Sequence, residues 1–203
     1  LGGQQVLEWA ILQPQIFDYI MPIACNAFHS PWGIAFNEAQ RLAIEADPTW
    51  KESDARAGME GLKAARAIGM ISYRHYNTYG QTQSEKTTDK TDNFRAATYQ
   101  RYQGEKLANR FNAFTYWLLS KMMDSHNVGR NRTSVEHALK QIQAKTLVIG
   151  IESDILFPLS EQQFLAQHIP NATLEVITSK YGHDGFLVEF EQLKKIITHY
   201  LNK

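Results

Sequence analysis

Two side chains near the C-terminus carry the chemistry this sequence can do: Asp154, in Gly150-Ile151-Glu152-Ser153-Asp154, and His183, in Tyr181-Gly182-His183-Asp184-Gly185. A carboxylate that holds an imidazole fixes its tautomer and stabilises its charged form, so that the other ring nitrogen moves a proton for a nucleophile. In that arrangement Asp154 orients and His183 transfers the proton. Taken singly, Asp154 is more often a loop or helix-capping residue, and a histidine beside glycine is more often a turn residue. Their joint position is more specific. Each follows an apolar run that reads as a strand, the acid comes first, and they lie about 29 residues apart.

A nucleophile served by such a pair sits on a sharp strand-to-helix turn of the type Gly-x-Ser-x-Gly. Leu1-Gly2-Gly3, before an amphipathic stretch, reads as the tail of that turn, with Leu1 after the serine and Gly2 as the final glycine. On this reading the serine lies one residue before Leu1, whose backbone N–H donates to an oxyanion. The same three residues also read as a glycine-rich boundary of the chain.

The elements that position these groups alternate. Residues 4–12 read as a buried helix stopped before Pro14, and 16–24 as a buried parallel strand. Ser30-Pro31 has the order of a cap followed by the first helical residue, opening a helix that runs to Asp47-Pro48. A second helix spans 56–71. Residues 74–93, rich in Thr, Gln, Ser, Lys and Asp, read as a solvated loop, and helices resume at 94–110, 114–123 and 134–142, the last capped by Ser134. Residues 144–151 are the clearest buried strand, rich in branched side chains. A helix at 160–169, a strand at 172–178 and a closing helix at 186–201 follow. Strands and helices alternating at this spacing imply a parallel sheet, and ligands gather at the carboxyl ends of such strands. The expected division is a core over 1–55, truncated at its N-terminus, a helical lid over 56–143, and a core over 144–203 that holds Asp154 and His183.

Composition excludes several classes. The 21 Lys and Arg balance the 21 Asp and Glu, so no net field draws nucleic acid or an anionic membrane surface. No apolar run approaches a membrane span, and no basic-then-apolar leader opens the chain. With one cysteine, Cys25, an internal disulfide and a thiolate zinc site are both excluded, and His126 and His137 lack a second cluster of ligands; no metal is expected. A reducing cytoplasm fits.

The segments Leu1-Gly2-Gly3-Gln4-Gln5-Val6-Leu7-Glu8-Trp9-Ala10, Ser72-Tyr73-Arg74, Tyr102-Gln103-Gly104-Glu105-Lys106, Gly150-Ile151-Glu152-Ser153-Asp154 and Gly182-His183-Asp184 resemble the homoserine O-acetyltransferases, nearly end to end. The resemblance implies the C-terminal part of an α/β-hydrolase fold with an inserted helical lid, in which Asp154 and His183 complete a Ser, Asp, His triad. It further implies Arg74 and Asp184 as the substrate-binding pair, which suits an amino-acid acceptor: a guanidinium holds its carboxylate and a carboxylate its ammonium. The implied substrates are L-homoserine and acetyl-CoA, the latter as co-substrate with no bound cofactor, in the cytoplasmic synthesis of methionine. A homodimer of the intact enzyme is left open. Asn112 and Asn127 stand where aspartate is usual in the family, which bears on the lid or the acceptor more than on the triad.

A succinyl donor, a serine acceptor, an esterase, or a non-catalytic module on the same scaffold remain rivals. Without the serine the chain by itself is expected to be inactive. With the strand over 16–24 unpaired along one edge, it is also expected to be poorly soluble.

Overall fold

The computed structural model describes residues 1–202. The chain opens with α1 (Gly2–Leu12) and β1 (Tyr19–Ile20). Five helices follow: α2 (Pro31–Glu45), α3 (Met59–Tyr73), α4 (Tyr76–Gln83), α5 (Arg95–Ala108) and α6 (Ala113–Asp124). It then returns through α7 (Val135–Leu139), β2 (Lys145–Ile151), α8 (Leu159–His168), β3 (Ala172–Ile177), a 3-10 turn (Gly182–Leu187) and α9 (Phe190–Leu201). Its contacts form two compact units, Leu1–His29 with Ser125–Lys203, and Ser30–Asp124.

In the first unit the strands pair in parallel in the order β1-β2-β3. The central strand β2 is buried along nearly its whole length, as a parallel strand covered on both faces should be. Its pleat sends Val148 to one core with Leu7 of α1, Leu139 of α7 and Leu165 of α8. Leu147, Ile149 and Ile151 go to the other, with Leu193, Ile196 and Ile197 of α9 packed against it.

β1 is shorter than the nine residues expected. Pro22 has no N–H to give the ladder, so the regular strand stops at Ile20. The register nonetheless continues across it: Ile20 pairs with Thr146, Ile23 bridges Ile149, and Ile149 N–H donates to Pro22 O at 3.0 Å. Ala24 then takes φ +45°, turning the chain away from the sheet.

The second unit is helical. α3 packs on α2, α5 and α6 around Ile44, Leu62, Ala65, Leu107 and Ala113. Ser30 Oγ accepts from Gly33 N–H at 3.2 Å with Pro31 in the first turn, as the cap-then-proline order predicts. The stretch read as a solvated loop contains α4 instead. Its polar sequence has no apolar period, but Thr78 is buried and Tyr79 meets Tyr99 of α5 edge to face, so packing on α5 outweighs weak intrinsic preference.

This unit also differs in extent from the expected 56–143 insertion. α2 joins α3 and α6, whereas Ala138, Leu139 and Ile142 enter the core beneath β2. The closing helix begins later than expected: Val188 and Glu189 N–H both turn back to Gly185 O, and α9 starts only at Phe190. No helix among the described residues is long and apolar enough to cross a membrane.

Candidate active site

Asp154 lies just beyond the carboxyl end of β2, and its side chain is fully buried. Asp154 Oδ1 accepts from the backbone N–H of Leu156 at 2.8 Å and of Phe157 at 2.9 Å. Oδ2 lies 2.7 Å from His183 Nδ1. The three contacts leave the carboxylate one orientation, since buried polar groups must be satisfied and two of these partners are backbone N–H groups. The His183 side chain keeps 18% of its surface exposed, so the pair has a buried anchor and an accessible end.

His183 sits in the 3-10 turn past the carboxyl end of β3. Gly182 before it has φ +65°, a conformation that costs glycine nothing and most residues a good deal. Phe157 and Phe186 flank the imidazole, with ring centroids 5.1 and 5.5 Å away, and His29 lies 5.9 Å beyond Phe157. These rings shield the pair on its flanks and strengthen its electrostatics.

The loops carrying the acid and the histidine are joined directly. Ser153 Oγ donates to Ser179 O at 2.6 Å and accepts from Gly182 N–H at 3.0 Å. Glu152 N–H donates to Ile177 O at 3.1 Å, and Tyr181 N–H to Ser179 Oγ at 3.1 Å. The sequence reading missed Ser153 and Ser179. Serines between two polar loops carry no periodic signal, and their pairing depends on β2 and β3 being neighbours.

Of the other residues singled out, Asp184 occupies the same 3-10 turn as His183. Leu1 is the N-terminal cap position of α1, its carbonyl accepting from Gln5 N–H at 2.9 Å. The first turn of α1 lies against the segment that leaves β1: a Cβ on Gly3 would stand 2.6 Å from Cys25 Sγ, and Gln4 donates to Asn26 Oδ1 at 3.1 Å. Arg74 belongs to the other unit, where it follows α3 in extended backbone. Asn112 and Asn127 each accept a backbone N–H two or three residues on, from Thr115 at 2.7 Å and Gly129 at 2.8 Å, a task aspartate would also perform.

Burial pushes the Cys25 thiol up to about 12, so it stays protonated and is no nucleophile at neutral pH. Burial also lowers His126, whose Nε2 lies 3.1 Å from Asn26 O. Among the described residues, no three His, Cys, Asp or Glu side chains are grouped to hold a metal ion. The arrangement of Asp154 and His183 suits proton transfer to and from a nucleophile.

The α/β hydrolase fold family model matches residues 1–190. A homoserine O-acetyltransferase of Cyclobacterium marinum is 52% identical over 197 residues, covering 97% of this chain and 56% of that protein. The solved homoserine O-acetyltransferase of Staphylococcus aureus superposes with a TM-score of 0.80 at 30% identity, over 100% of this chain and 56% of that one. The acetyl esterase MekB shares the fold, with a TM-score of 0.84 at 21% identity over 100% of this chain and 60% of that one. The chain thus spans little more than half the length of the curated relatives it matches.

Proposed function

The chain belongs to the α/β-hydrolase fold family, and from that premise we propose that Asp154 and His183 are the acid and base of an acyltransferase acting through an acyl-serine. The observation that carries this is the 2.7 Å contact between His183 Nδ1 and a carboxylate whose other oxygen is held by two backbone N–H groups. Similarity to relatives named homoserine O-acetyltransferase supports acetyl-CoA as donor and the hydroxyl of L-homoserine as acceptor. Cytoplasmic methionine synthesis is part of the same proposal.

With Nδ1 bound to Asp154, Nε2 is the nitrogen that exchanges protons. It takes the proton of the serine hydroxyl as the oxygen attacks the thioester carbonyl, then returns it to the departing thiolate of CoA. In the second half it takes the proton of the acceptor hydroxyl, whose oxygen attacks the acyl-serine, and returns that proton to the serine. The Asp154 carboxylate stabilises the imidazolium formed twice per cycle. The serine is assigned to the position before Leu1 in a protein of the relatives' length, and the Leu1 N–H to the oxyanion. Asp184 is assigned to the acceptor's ammonium and, on the resemblance, Arg74 to its carboxylate.

The test is a set of initial rates, on a protein of the relatives' full length that carries this chain, with acetyl-CoA or succinyl-CoA against homoserine, serine and water. Transfer from acetyl-CoA to homoserine should exceed the rest. Faster transfer to water would favour the esterase reading that the MekB fold permits, and the absence of all turnover would favour a non-catalytic module.

A further inference from the structure

We propose that Ser153 is a positioning residue, whose hydroxyl locks the loop carrying Asp154 to the loop carrying His183 so that the two meet in one geometry. The proposal rests on the reading of that pair as acid and base, and assigns a task to a side chain that reading does not use.

The hydroxyl occupies both of its roles across the gap between the loops. Its hydrogen goes to Ser179 O at 2.6 Å, and its oxygen receives Gly182 N–H at 3.0 Å. Ser179 lies two residues past the end of β3, and Gly182 immediately precedes His183. Ser153 itself immediately precedes Asp154. One hydroxyl therefore spans the entry and exit of the turn that leads into the imidazole, from a point one residue away from the carboxylate.

Two neighbouring bonds act within one loop, or lower down where the strands are still paired. Tyr181 N–H to Ser179 Oγ tightens the histidine loop alone, and Glu152 N–H to Ile177 O continues the β2–β3 ladder. Gly182, at φ +65°, is the flexible joint on which the direction of His183 depends. An acceptor fixed at that joint's N–H restricts it where restriction moves the ring most. Without the hydroxyl, Ser179 O and Gly182 N–H both lose a partner, and water entering to replace it would free the turn to move against Asp154.

The experiment is proton NMR of a protein of the relatives' full length that carries this chain, following the His183 Nδ1–H resonance, shifted far downfield by the carboxylate, and its rate of exchange with solvent. Ser153→Ala should keep the far-ultraviolet circular dichroism of the parent, yet exchange this proton roughly tenfold faster or broaden it beyond detection. Ser153→Thr retains the hydroxyl at a half-buried position and should restore the parent's resonance and exchange rate. A Ser153→Ala spectrum identical to the parent's overturns the proposal. So does a Thr variant as impaired as the Ala variant, which would mean that the side chain's shape, not its hydroxyl, matters. If Ser153→Ala fails to fold, the Thr variant alone decides: the parent's resonance supports the lock, and its loss overturns it. The readout needs no substrate, so failure of the acyl-transfer reaction in the longer protein would overturn the proposed function and leave the role of Ser153 standing on its own spectra.

Discussion

In each compact unit a buried charged side chain is tied into a network, Arg41 in one and Asp154 in the other, and the two networks differ in kind. In the helical unit, Arg41 is 2% exposed and bonds to Glu38, Ser120 and Asp124, while Asn37 donates to the same Asp124 at 2.8 Å. α2 and the end of α6, where the chain enters and leaves that unit, are thereby pinned together. In the sheet-containing unit, Asp154 is equally buried, but its partner is an imidazole with 18% of its side chain exposed. A guanidinium keeps its charge throughout the accessible pH range, whereas an imidazole gives and takes protons near neutrality. Burial and hydrogen bonding therefore do not by themselves mark a reactive site; an exchangeable proton with one accessible end does.

The widest separation between the two networks should come from deleting His183 in one and Arg41 in the other. In the longer protein, His183→Ala should lower kcat by about 10⁴- to 10⁶-fold, as deletions in such triads do, and lower the thermal midpoint less than Arg41→Ala does, because two backbone N–H groups still hold Asp154 Oδ1. A stopped assay of acetyl transfer paired with differential scanning calorimetry checks both halves. Arg41→Ala should do the reverse, costing about 3 to 5 kcal/mol in urea unfolding because Asp124 loses its counter-charge. If Arg41→Ala keeps full stability, the helical network is ornament and the contrast fails.

A comparison of two arginines, Arg41 and Arg74, sharpens the distinction inside the helical unit. Arg74→Ala should leave the urea midpoint nearly unchanged, unlike Arg41→Ala, and weaken use of the amino-acid acceptor by about 1.5 to 3 kcal/mol, the scale of hydrogen bonds to charged groups. The acceptor's kcat/KM should carry that loss, with the rate of CoA release in the absence of acceptor unchanged.

The smallest effect concerns acid. Burial lowers His126 in the sheet-containing unit, so its neutral form is the one the folded state prefers. The unfolded chain then binds the proton first, and this unit's stability falls as pH drops below the ordinary histidine value of 6.5 toward the lowered one. In the helical unit, Asp47 is held below its ordinary 3.8 chiefly by the N–H of Gly61, so its contribution is present above that value and lost only as pH falls through the lowered one. Hydrogen exchange, corrected for intrinsic rates, should show protection falling in the sheet-containing unit first on acidification. His126→Gln should remove that early loss.

Much of the sheet-containing unit was legible because its signals are local. Residues 144–151 are branched and continuous, and β2 forms there; the Asp-then-His order past two strands placed the pair that the structure brings to 2.7 Å. Ser30-Pro31 and Ser134 act as the caps their types suggest. What escaped depends on contacts distant in sequence. α4 has no apolar period and relies on α5, and β1 is cut short by a proline whose carbonyl still serves the ladder. The helical unit begins at Ser30, not at residue 56, because Arg41 and Ile44 turn α2 toward α3 and α6. The bridging hydroxyl of Ser153 has meaning only once β2 and β3 are side by side.

The most direct test is to mix the longer protein with acetyl-CoA in the absence of acceptor. A burst of free CoA of about one equivalent per site, with an acetyl group found on a serine of the longer protein and neither seen in His183→Ala, is the expected result. Acetyl transfer without a burst, or a burst that survives His183→Ala, would contradict the assignment of Asp154 and His183 as the pair that activates that serine.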